Sequence, residues 1–130
     1  MSAETTALGL AALLQVAQIG LAAVSMNRDV GASWNASPRD NQPEFSALTG
    51  RLRRAVSNHF EALSLFTIAV LMVSLEDRSN VLTVFSAWLY LAARILYVPA
   101  YAFGWSPWRS VIWAVGFLAT MAMIIFALLT

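Results

Sequence analysis

Arg54, Asn58 and Glu61 stand at offsets of four and seven in a stretch that is otherwise apolar for the length of a membrane span. On a helix those offsets put all three side chains on one face. Ionisable groups turned toward lipid cost roughly 2.5–3.5 kcal/mol each, even on the lenient insertion scale. A chain that keeps such a stripe uses it for a polar ligand or for a buried pairing. Glu61 lies about 10 Å deeper than Arg54 at 1.5 Å of rise per residue. The stripe is therefore graded, with guanidinium groups of Arg51, Arg53 and Arg54 at the mouth, the Asn58 amide below and a carboxylate at the bottom.

A second stripe runs through Arg94, Tyr97 and Tyr101, at offsets of three and seven, with Tyr90 extending it the other way. Arg109 and Ser110 open the last apolar segment at the level of Tyr101. Arginine forks bind carboxylates bidentately. A carboxylate suits an ammonium, an asparagine serves an amide backbone, and tyrosine hydroxyls bind carboxylates. The inventory fits a small zwitterionic or dianionic peptide with two carboxylates and one amine. Glutathione is such a peptide, and it would bring a thiol to a chain without cysteine. The competing reading is a non-catalytic membrane subunit or scaffold in which Glu61 and Arg94 form a structural ion pair. His59, about 100° around the helix from Asn58, is assigned to interfacial contact or packing.

The elements that must position these groups are membrane spans. The chain is 59% hydrophobic and 12% charged, with a mean hydropathy of +0.67, whereas soluble domains are about 25% charged. Four segments are long enough to cross a bilayer, at about 6–26, 52–75, 81–103 and 108–129, since a span needs about 20 residues. Met-Ser-Ala-Glu at the start lacks the positive region of a signal peptide, so the first apolar run reads as a retained span. The segment 27–50, rich in turn residues, is expected to be an irregular loop. The other two loops are short, which makes neighbouring helices antiparallel. The fold class is all-α, an integral membrane four-helix up-down bundle in one domain. Small residues in the first span (Ala11, Ala12, Ala17, Ala22, Ala23) suit an oligomer seam or packing within one chain equally.

Six arginines border the first and third loops and only Arg78 lies on the other side. The positive-inside rule makes the first and third loops, and the binding face with them, cytoplasmic and both termini non-cytoplasmic. The net charge of +1 carries no nucleic-acid signal. The absence of cysteine excludes disulfides and thiolate metal sites, and a single histidine does not make a metal centre.

The run Arg51-Leu-Arg-Arg54-Ala55-x-x-Asn58-x-x-Glu61, then Leu65-Phe66, resembles the signature of the MAPEG family, the membrane-associated proteins of eicosanoid and glutathione metabolism. Arg94-x-x-Tyr97-x-x-x-Tyr101, followed by Pro107-x-Arg109-Ser110, is similar to that family's third and fourth helices. The pattern is that of a bacterial-type or divergent member, nearer to microsomal glutathione transferases and leukotriene synthases. Ser57, Gly50 and Ser64 depart from the prostaglandin-synthase branch. The resemblance implies a homotrimer with glutathione bound between subunits. It implies that Arg51, Arg54, Asn58, Glu61, Arg94, Tyr97 and Tyr101 hold the peptide, and that Arg109, with Ser110, stabilises its thiolate against a lipophilic electrophile.

Overall fold

The computed structural model describes residues 1–40 and 43–130. Five helices follow in order: α1 Ala3–Val30, α2 Ala32–Ala36, α3 Ala47–Leu75, α4 Val81–Ala102 and α5 Trp108–Leu129. All but α2 are long and apolar enough to cross a membrane. Their ends follow from side-chain caps. Ser2 accepts from the Thr5 N–H and Ser46 from the Thr49 N–H. Asn80 and Thr83 form a reciprocal capping box at the start of α4, which satisfies two donors that have no partner within the helix. Gly31 ends α1 at φ +88°, a conformation costly for any residue with a Cβ.

The expected irregular loop at 27–50 is shorter than its composition suggests. α1 continues to Val30, α3 begins at Ala47, and α2 occupies part of what remains; positions 41–42 lie outside the described residues. The Asp29 carboxylate accepts from the Ser46 N–H at 2.9 Å, so the two long helices grow toward each other and leave less chain between them.

α1 packs on α3 and α4, and α5 packs on the same two helices. Direction follows from hydrogen bonds far apart in sequence. Ser25 pairs with Thr49, and Gln15 with His59, so α1 and α3 are antiparallel. Arg54 near the start of α3 reaches Tyr101 near the end of α4, so these two are antiparallel as well. Glu4 accepts from Thr83, which makes α1 and α4 parallel and sets their register. The core between them is built from small residues, among them Ala7, Ala11, Ala69, Ala87 and Ala119, around Phe66 stacked on Tyr90 with ring centroids 3.9 Å apart. Lipid offers no hydrophobic drive between helices, and small side chains allow the close backbone approach that replaces it. Of the small residues in α1, Ala11 and Ala22 are buried in this core, while Ala12, Ala17 and Ala23 face outward.

α3, at 29 residues, is about 44 Å long at 1.5 Å per residue, against a hydrocarbon core of about 30 Å. Its first turns, which carry Arg51, Arg53 and Arg54, therefore project toward the headgroup region. Arg94 lies two turns inside α4 and does not.

Candidate functional site

The arginine-rich end of the bundle collects side chains from three helices around one tyrosine. Arg54 Nε donates to the Tyr101 hydroxyl at 3.2 Å, and the Arg54 guanidinium carbon lies 5.9 Å from that ring's centroid. Arg109, in the first turn of α5, covers the same ring at 4.9 Å. Arg51 Nη1 donates to the Ala102 carbonyl at 3.4 Å. Tyr97 meets Tyr101 edge to face at 5.6 Å. A tyrosine flanked by two guanidinium groups holds both cations in place through its π-face and hydroxyl.

Deeper in the bundle lies a cavity of about 280 Å³, lined by Asn58, Glu61, Tyr90 and Arg94 on its polar side and by Leu65, Trp113 and Phe117 on its apolar side. That volume is near the lower end for ligand pockets, roughly 300–1,000 Å³. Arg94 is 2% exposed and its guanidinium carbon sits 4.2 Å from the Tyr97 ring centroid. Nε and Nη2 of Arg94, Oδ1 of Asn58 and the Tyr90 hydroxyl are buried with no hydrogen-bond partner. Leaving a buried polar atom unsatisfied costs about 1–3 kcal/mol, and more at a charged group. All four atoms belong to residues that line the one cavity, Asn58, Tyr90 and Arg94, which concentrates unmet hydrogen-bonding capacity beside it.

Glu61 and Arg94 line the cavity together but do not form the ion pair considered from sequence. Glu61 is exposed at the rim, and the two Arg94 nitrogens named above have no partner. Arg94 packs on Tyr97 and faces inward, whereas Glu61 lies on the outer edge of α3. Ser110 is exposed, and its N–H donates to the Pro107 carbonyl at 3.1 Å.

Sequence reasoning passed over two groups, Gln15 and Gln18. His59 is completely buried and its Nδ1 lies 2.7 Å from Oε1 of Gln15, which makes it a packing residue, one of the two roles expected for it. Gln15 and Gln18 are both buried in α1. A signal existed: Glu4, Gln15, Gln18 and Ser25 are the polar members of the buried face of α1 and recur at helical spacing. Polar residues on one stripe of an apolar span point inward.

The model of the MAPEG family matches residues 4–129. No curated protein and no solved structure matches the chain.

Proposed function

The chain belongs to the MAPEG family, and on that premise we propose that it is a glutathione-dependent membrane enzyme. It would conjugate or reduce lipophilic electrophiles, in the manner of a glutathione transferase or peroxidase. The observation that carries this reading is the cavity in which Asn58 Oδ1, the Tyr90 hydroxyl and two Arg94 nitrogens are buried without partners, directly beneath the Arg54–Tyr101–Arg109 cluster. Arg51 and Arg54 would take a carboxylate at the mouth, Arg94 a second one, Asn58 an amide and Glu61 the ammonium. Tyr97 and Tyr101 would hold the guanidinium groups in register. Glutathione would supply the thiol. Arg109 beside it would favour the thiolate, because a neighbouring cation lowers a thiol's pKa, with Ser110 available as a hydroxyl donor from the same turn.

The apolar wall of the cavity, Leu65, Trp113 and Phe117, suits the approach of an electrophile from the bilayer. In a homotrimer, as the family resemblance implies, the outward small residues Ala12, Ala17 and Ala23 of α1 would be available to a neighbouring subunit that closes the site. The positive-inside rule sets the arginine-rich end on the cytoplasmic side. Calorimetric titration of detergent-solubilised protein with glutathione is the test. Saturable binding that is weakened by Arg54→Ala and by Glu61→Ala is expected. No heat at millimolar glutathione, or affinity untouched by both changes, rejects the reading.

A further inference from the structure

Three helices place a polar side chain at one depth in the middle of the bundle. The Glu4–Thr83 bond sets the register of the parallel pair α1 and α4. Gln15 lies eleven residues beyond Glu4, and Arg94 eleven beyond Thr83, so they share a level. His59 of α3 joins that level through its hydrogen bond to Gln15.

The bonds within this layer fix the protonation of the imidazole. Gln15 Nε2 donates to the Val56 carbonyl at 3.3 Å, which leaves Gln15 Oε1, an acceptor, turned toward His59 Nδ1 at 2.7 Å. Nδ1 must then carry the proton, and in a neutral ring Nε2 is an acceptor lone pair. Nε2 is buried with no partner. On the same level, Nε and Nη2 of Arg94 are buried donors with no acceptor among the described residues. An orphan acceptor and two orphan donors in one layer are complementary.

We propose that His59 is a positioning residue for Arg94. Held by Gln15 with Nδ1 protonated, it offers Nε2 to the guanidinium through one buried water, and so orients the remaining Arg94 N–H groups. The link between the two side chains stands on the packing alone. Its consequence for glutathione rests on the function proposed above.

His59 is the single histidine of the chain, so histidine-selective ¹⁵N labelling yields one imidazole to observe. The expected spectrum, in detergent or nanodiscs, is a neutral ring protonated at Nδ1 whose Nε2 resonance moves in Arg94→Gln and in Arg94→Lys. A ring protonated at Nε2, or an Nε2 resonance indifferent to both Arg94 changes in folded protein, overturns the proposal. Glutathione titration supplies the functional readout. His59→Leu should weaken binding about tenfold, the scale of a weakened bond to a charged group, and His59→Gln, which keeps one donor and one acceptor, should recover most of it. The His59→Leu effect should vanish in an Arg94→Gln background. Equal losses in His59→Leu and His59→Gln, or an undiminished loss in the double variant, also overturn it. If wild-type protein binds no glutathione while Nε2 still responds to Arg94, the ligand assignment falls and the His59–Arg94 link is supported.

Discussion

Arg109 and Tyr101 meet face-on, with the guanidinium carbon 4.9 Å from the ring centroid, and this contact ties the first turn of α5 to the last turn of α4. Arg54 approaches the same ring from α3 and donates to its hydroxyl. One tyrosine therefore sets the spacing between two cations that arrive on different helices. Tyr101→Phe keeps the ring and loses the hydroxyl bond, so it should weaken glutathione binding several-fold by releasing Arg54. Tyr101→Ala releases both cations and should weaken it more than about tenfold, given roughly 0.5–2 kcal/mol for each cation–π contact. Calorimetric dissociation constants for the two variants check the order.

Arg109→Ala separates binding from activation. Arg109 is exposed at the start of α5, and its proposed role is to hold the thiolate. The expected outcome is a fall of at least about tenfold in thiolate fraction at fixed pH, equivalent to roughly 1.4 kcal/mol, with glutathione affinity changed far less. Ultraviolet thiolate absorbance of purified protein titrated with glutathione measures the first, calorimetry the second. An unchanged thiolate signal removes Arg109 from the chemistry.

Glu61 is exposed and makes no hydrogen bond to hold the bundle together, so Glu61→Gln should leave stability within about 0.5 kcal/mol, as surface changes do. Its effect should fall on the ligand alone, with glutathione affinity lower by about tenfold or more for loss of a charge-assisted bond. Thermal melting in detergent alongside the titration checks both. A large loss of stability would make Glu61 structural.

Glu4 predicts the opposite pattern. It is 1% exposed and its Oε2 accepts from Ser79 at 2.6 Å and Thr83 at 2.8 Å, pinning the start of α1 to the α3–α4 turn and to α4. Glu4→Ala removes the charged acceptor that ties Ser79 and Thr83 to α1 and should cost about 1.5–3 kcal/mol of stability. Glutathione affinity should be retained in the protein that remains folded, because Glu4 lies at the far end of the bundle from Arg51, Arg54 and Arg109.

Gly116 lines the cavity, and a Cβ added there would meet Ala93 at 3.5 Å and Arg94 Cδ at 3.7 Å. Those are ordinary contacts, so Gly116→Ala should be tolerated. Gly116→Leu would fill the cavity and press on Arg94. It should abolish glutathione binding at a stability cost of about 1–3 kcal/mol for overpacking, read by calorimetry and melting together.

Much of this protein is legible from spacing. The recurrence of apolar residues over four long segments, and of Arg54, Asn58 and Glu61 on one face of the second, follows from helical geometry that every such chain must obey. So does the clustering of arginines at one end, because a guanidinium group leaves the hydrocarbon wherever the chain permits. These features are local, and local periodicity carries them.

Pairing across helices is a different matter, since it depends on register and rotation that no single segment encodes. The chain alone left Glu61–Arg94 open as an ion pair. The packed bundle turns Arg94 inward over Tyr97 and leaves Glu61 at the rim, so the pair does not form. The chain alone also left His59 open between interfacial contact and packing. Only the register set by Glu4 with Thr83 and by Gln15 with His59 brings α1, α3 and α4 to one level. That level holds both a buried imidazole lone pair and the unpartnered donors of Arg94. Composition and spacing decided that the chain spans a membrane with a polar stripe inside it. The tertiary structure decided which of those polar groups satisfy one another and which are left without a partner among the described residues, because burial and partner geometry exist only once the helices have packed.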